Sequence, residues 1–351
     1  WEVTPLDHKD SNPSGKKREG SNPSGYSRRK ILQGAAATAA SFSLRGCLGE
    51  SRSPLLLGKE EARKVHILRC PDYSPQFLRR KVEEGWNAIG APSPKGLRVL
   101  LKPNFVEYTP GVPINTDPAF VAAFIEFLRD RGAKSITVAE GPGHRHDSEE
   151  VWIMSGLRSR VLQLGAKLLD LNYADLVSRE VNFNWLKSAH KVRNQMWLPK
   201  ILFESDLLVT LPKLKTHHWV KATLSLKNIF GIVPGVRYGW PKNILHWIGI
   251  ERAIVALNRA VPFHVGVVDG IVGMEGDGPL RGTAVPSGVI LFSRDLVALD
   301  GASALTMGIE PKELTYFEHA QKAWLGSRGK IVYTGLRPKE VARPFKRPPQ
   351  A

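Results

Sequence analysis

Cysteine is nearly absent from this chain: Cys47 and Cys70 are the only two in 351 residues. Two thiols cannot complete a four-thiolate iron–sulfur cluster or a zinc ribbon, so no Fe–S cluster is expected on the isolated chain. No apolar run approaches the ~20 residues that a transmembrane helix needs. There is no G-x-S-x-G elbow, no H-E-x-x-H helix and no G-K-[ST] phosphate loop, which removes the standard hydrolase and nucleotide signatures. Acidic residues are the scarcer sign, 33 against 50 Lys and Arg, for a formal net charge of +17. The first fifty residues contribute +3 of that and the last twenty-five +6, which leaves +8 for the long middle. With no zinc-finger, helix-turn-helix or RNP motif beside it, this modest excess argues against specific nucleic-acid recognition.

What is present centres on Asp206 to Gly235. An apolar, β-branched run, Leu207 to Leu211, reads as a buried strand. Pro212 offers no N–H to a ladder and is expected to end it. Lys213, Lys215, Lys221, Lys227, His217 and His218 then fall within fifteen residues that contain no carboxylate. A solvated helix face mixes both signs. A one-signed cluster at a strand's carboxyl end, running into Gly231 and Gly235, suits a pocket for an anion. The competing reading is a basic surface loop.

The motifs P-K-L-K-T-H (212–217) and T-L-S-L-K-N-I-F-G (223–231) resemble the signature of the domain of unknown function 362 family. L-K-P-N from Leu101, N-T-D-P from Asn115, V-V-D-G from Val267 and L-V-A-L-D from Leu296 extend the resemblance over roughly residues 65–310. It implies little chemistry. Some members carry ferredoxin-like cysteine clusters and are suspected of redox roles; this chain departs from them in lacking those cysteines, so electrons would need a separate partner.

Four regions are expected. Residues 1–47 form a polar extension, with S-N-P-S-G twice, followed by a twin-arginine export signal at Arg28-Arg29 and a weakly apolar, Ala-rich stretch. Trp1 in place of Met suggests an upstream extension or an incomplete start. Leu44-Arg45-Gly46-Cys47 is lipobox-like, which would lipidate Cys47 and attach the chain to a membrane, but Arg45 stands where a small residue is usual. The expected location is therefore exported, periplasmic or in the cell envelope. Residues 48–63 read as a linker, 64–326 as the globular α/β part, and 327–351 as a loosely ordered basic, Pro-rich tail.

Within 64–326 strands and helices alternate. Strands are expected at Val65–Leu68, Leu97–Leu101, Ser135–Ala139, Lys167–Leu171, Val265–Val268 and Gly288–Phe292. Helices are expected at 74–89, 118–131 (capped by Asp117), 148–164, 243–260, 295–307 and 312–325. Residues 172–197 suggest a small hairpin. The alternation predicts a mostly parallel sheet with Rossmann-like layers, helices on both faces, and one lobe or two. Ligands of such sheets sit outside the strands' carboxyl ends. Lys102, Asn104, Glu140, Lys213, Lys215 and Asp269 all lie at such ends. Lys213, Lys215, Glu140 and Asp269 are the candidate catalytic groups, because desolvated lysines lose pKa and carboxylates orient them or move protons. Lys102, Asn104, Lys221, Lys227, Asn228, Gly276 and Gly278 are candidate ligand contacts, the glycines through backbone amides. His217, His218 and His246 are candidate ligands of a divalent metal. These groups suit an exported enzyme acting on a small anionic substrate, or a non-catalytic anion-binding protein. A redox-partner subunit is the third reading.

Overall fold

The computed structural model describes residues 63–348 except 144–146, 184–193, 243, 324 and 327–328, together with residues 56 and 58. Arg28, Arg29 and Cys47 lie outside the described residues. The elements in chain order are β1 (Arg63–Arg69), α1 (Pro75–Ala88), β2 (Arg98–Pro103), α2 (Pro118–Asp130), β3 (Ser135–Glu140), α3 (Ser148–Met154), α4 (Leu157–Gln163), β4 (Lys167–Asp170), β5 (Leu176–Glu180), β6 (Gln195–Pro199), α5 (Ile201–Glu204), β7 (Leu207–Leu211), β8 (Lys213–His217) and β9 (Lys221–Thr223). Then follow α6 (Ser225–Asn228), α7 (Gly235–Tyr238), α8 (Ile244–Trp247), α9 (Ile250–Ala260), β10 (Val265–Glu275), β11 (Thr283–Val285), β12 (Val289–Ser293), α10 (Leu296–Thr306), α11 (Phe317–Lys322), β13 (Ile331–Tyr333) and α12 (Pro338–Val341).

Eight strands form one continuous sheet in the order β13-β1-β12-β10-β7-β2-β3-β4. Pairing is parallel from β10 through β7, β2 and β3 to β4, and antiparallel only where β12 meets β1 and β10. This is the mixed α/β, mostly parallel architecture that the alternation predicts. Two apolar cores flank the sheet. Val99 and Leu101 of β2 face one core, with α1, α2 and α4; Leu100 faces the other, with α9 and α10. Asp117 caps α2 by accepting from the Ala119 amide, and Asp295 caps α10 through Ala298.

Several expectations are corrected. The helix predicted over 148–164 is two helices, broken where Gly156 takes a φ of +76°. The 243–260 helix breaks at Gly249, and 312–325 reduces to a 3₁₀ turn at Pro311–Glu313 followed by α11. Pro212 does not end the β structure. The chain resumes as β8, which runs parallel to β10, with a register break between Asp269 and Met274, and antiparallel to β9. β10 itself runs past the expected Val268 to Glu275 and forms a hairpin with β11. The basic tail is packed: β13 extends the sheet beside β1, and Phe345 is buried in the core.

Candidate binding and active site

The carboxyl ends of β2, β3 and β8 open onto a cavity of about 280 Å³. Among the described residues its wall holds four lysines (Lys102, Lys215, Lys227 and Lys242) against a single carboxylate, Glu140. Their arrival there follows from the topology. Lys102 and Glu140 are near the ends of neighbouring parallel strands, Lys215 lies in β8, and Lys227 sits on α6 just after the β8–β9 hairpin. Asp300 of α10 fixes α6 by accepting from the amides of Ser225 (2.7 Å) and Leu226 (3.1 Å) and from the Tyr316 hydroxyl (2.9 Å). Burial raises the Asp300 carboxyl to about 7 against the pull of these three donors.

Lys102 and Glu140 form a fully buried pair, with Nζ at 2.8 and 2.9 Å from the two carboxylate oxygens. Glu140 also accepts from the amides of Phe105 (3.0 Å) and Gly141 (2.9 Å). Both its oxygens are therefore occupied, and Glu140 anchors Lys102, the orienting role among those its position suggests. Asn104 donates to Asn228 Oδ1 at 2.9 Å, and Asn228 donates to Thr210 Oγ1 at 2.9 Å, tying α6 to the ends of β2 and β7. A side chain at Gly231 would put its Cβ 2.0 Å from Glu140 Oε1 and 2.6 Å from Lys102 Nζ. Only glycine lets this backbone close over the ion pair.

The remaining lysines have no carboxylate of their own within ion-pair distance among the described residues. Lys215 donates to the carbonyl of Ile114 at 2.6 Å and Lys242 to that of Gly141 at 2.7 Å. Lys227 lies over the Phe230 ring, 3.7 Å from its centroid. Desolvation brings Lys215, Lys227 and Lys242 each down to about 7; neighbouring ammonium groups add to the fall, while Glu140 opposes it at Lys215 and Lys242. Lys242 is held in the left-handed region, at φ 64°, a conformation that costs a non-glycine residue energy.

An aromatic wall faces these amines. The rings of His217 and His218 are 4.9 Å apart, and Trp219 meets His246 edge-on at 4.3 Å. Burial, then the nearby Lys227, holds His246 down to about 4; the same causes push His217 well below the usual histidine range. Both imidazoles are neutral at pH 7. His217 Nδ1 accepts from the Trp219 amide at 3.2 Å, and His218 Nδ1 lies 3.0 Å from the Gly278 carbonyl. Among the described residues no three His, Cys, Asp or Glu side chains are grouped to hold a metal ion.

Not all the predicted residues converge. Lys213 and Asp269 pair at 2.8 Å, and both bond the hydroxyl of Tyr73 (2.9 and 2.8 Å). Lys213 and Tyr73 line a second cavity of about 280 Å³, whose wall includes Tyr108, Asn115 and Asp117. The segment 105–118 contributes to both cavities, and Lys215 bonds its Ile114 carbonyl. Lys221, at φ 70° as the first residue of β9, is not in the cavity wall. Gly276 and Gly278 do not offer free amides: Gly276 donates to Lys346 and Gly278 to Gly276. Their use is steric, since a Cβ on Gly278 would lie 2.1 Å from the Thr216 carbonyl, and the next residues, Pro279 and Leu280, line the cavity. Sequence reasoning missed Lys242, Trp219 and Phe230. Lys242 follows Trp240-Pro241 in what reads only as a turn, with nothing local to mark its depth.

Fold and cavity together define an α/β protein with a buried, polycationic pocket at the carboxyl edge of its sheet. The chain belongs to the family described as "Domain of unknown function (DUF362)", whose profile matches residues 99–304. The thylakoid-associated protein sll1697 of Synechocystis sp. is 27% identical over 259 residues, covering 71% of this chain and 76% of that protein. A crystal structure of a Thermotoga maritima protein is similar at 12% identity with a TM-score of 0.34; the match covers 73% of this chain and 60% of that one, less than two thirds of its length. No helix of the described residues is long and apolar enough to cross a membrane.

Proposed function

We propose that the protein is an enzyme that acts on a small anionic substrate held in the lysine cavity. The observation that carries this reading is the charge imbalance of the described cavity wall, four lysines to one carboxylate that is itself consumed by Lys102. Such a cluster is costly to keep without a counter-ion. An anion supplies the missing charge and draws protons onto Lys215, Lys227 and Lys242. The uncharged fraction of the same amines near pH 7 supplies a general base.

Saturation of Glu140 by four donor contacts favours a second reading, anion binding without turnover. Inorganic phosphate distinguishes a working site from an inert surface. Calorimetry near pH 7.5 is expected to show one phosphate per chain with net proton uptake, and phosphate at a hundred times its Kd should add about 2.7 kcal/mol of stability. Absence of saturable binding at millimolar phosphate would remove both readings. Native mass spectrometry of the purified protein separates them: an unchanged co-purifying anion supports binding alone, and conversion of the anion on incubation supports catalysis.

We also propose export by the twin-arginine route, carried by Arg28-Arg29 ahead of a weakly apolar segment. The thylakoid association of the Synechocystis relative agrees with a membrane-associated or envelope location. Replacing Arg28 and Arg29 with Lys is expected to retain the protein in the cytoplasm; fractions that match wild type would rule the signal out.

A further inference from the structure

The four cavity lysines are not equivalent. Lys102 is locked to Glu140, Lys215 to the Ile114 carbonyl, and Lys242 to the Gly141 carbonyl. Lys227 has no such tether among the described residues; its Nζ rests against the face of Phe230 and borders the cavity. Its backbone is nevertheless rigidly placed, because Asp300 holds the two residues before it and Asn228 behind it is bonded to β7. A firmly mounted amine with a free end, inside a pocket whose other cations are fixed, is suited to attack rather than to holding charge.

We infer that Lys227 is a nucleophilic amine that forms an imine with the carbonyl carbon of an oxo acid, whose carboxylate is held by Lys215 and Lys242. This rests on the anionic-substrate reading and narrows it to carbonyl-bearing carboxylates. The Lys227 nitrogen lone pair adds to the carbonyl carbon, and the C=O π pair moves to oxygen. Both amine protons then leave with that oxygen as water, and C=N replaces C=O; no oxidant or reductant is consumed. The amine is available at neutral pH. The ring face of Phe230 favours the ammonium form, but desolvation, followed by the ammonium groups of Lys242 and Lys102, outweighs it and brings Lys227 to about 7. Lysines activated by desolvation and a neighbouring cation serve this chemistry.

The test is reductive trapping on the full chain. Pyruvate, oxaloacetate and phenylpyruvate are each incubated with the protein and sodium cyanoborohydride, and the adduct is mapped by peptide mass spectrometry. One adduct per chain on Lys227 is expected, its rate rising through about pH 7 rather than near the ordinary lysine value of ~10.4. Lys227→Arg keeps the charge but removes the nucleophile, and should give no adduct. Stoichiometric phosphate binding without an adduct from any of the three acids overturns the inference and leaves the anion site standing. So does labelling on Lys215 or scattered over exposed lysines. Loss of both phosphate binding and labelling in the wild-type chain overturns the anion reading as well.

Discussion

Replacing Lys213 with Met is expected to destabilise the fold by about 3–5 kcal/mol, the usual cost of breaking a buried ion pair by removing one partner. For a chain of this size that is a fall in Tm on the order of 10 °C. Asp269 would be left as a buried carboxylate, with the Tyr73 hydroxyl and the amides of Asp117 (3.0 Å) and Ile271 (3.3 Å) as its remaining donors. Lys215→Met, two residues along the same strand, is expected to behave differently. It removes a buried ammonium that donates to the Ile114 carbonyl, so the lost hydrogen bond and the relieved desolvation nearly cancel, within ~1 kcal/mol at pH 7. Phosphate affinity should instead drop about 10- to 100-fold, the worth of a charge-assisted hydrogen bond. Thermal unfolding and phosphate titration of both variants decide the matter. A neutral Lys213→Met would mean that the Asp269 pair is dispensable, and a Lys215→Met as unstable as Lys213→Met would make Lys215 structural.

Phosphate affinity should fall steeply between pH 7 and 10, about tenfold per unit for each proton that binding must bring in, while the free protein becomes more stable over the same range. Lys215, Lys227 and Lys242 lie near 7 in the folded chain against an ordinary 10.5. Between those values the unfolded chain binds more protons than the folded one, so raising the pH favours folding. Below about 7 the full cost of desolvating the three ammonium groups is present; above about 10.5 it is gone. Asp300, raised to about 7, acts with the opposite sign, but in a window between the ordinary 3.8 and that value. Melting curves recorded from pH 6 to 10 with and without phosphate should therefore converge as the pH rises. Parallel curves across that range would show that the lysines are not linked to binding.

The alternation of apolar runs with amphipathic segments was enough to predict a mostly parallel sheet covered on both faces, and Asp117 announced the start of α2. Those features are local: a strand's apolar run and a helix's cap can be read within a dozen residues. The convergence of Lys102, Glu140 and Lys215 on one edge also follows from parallel topology, because the carboxyl ends of such strands share a side. The identity of each lysine's partner was not legible. Lys213 and Lys215 look alike in sequence, yet one meets Asp269 and the other the Ile114 carbonyl, about a hundred residues away. The same depth explains why β8 did not read as a strand: buried lysines invert the polarity by which a strand is recognised. Lys242 entered the cavity through a turn, and the tail became β13 because β1 left an edge open to it. Sequence alone determined the layers and the edge at which chemistry gathers. Tertiary structure decided which of the described amines are ion-paired, which are tethered to carbonyls and which rests against a ring, since burial and ion pairing depend on residues distant in the chain.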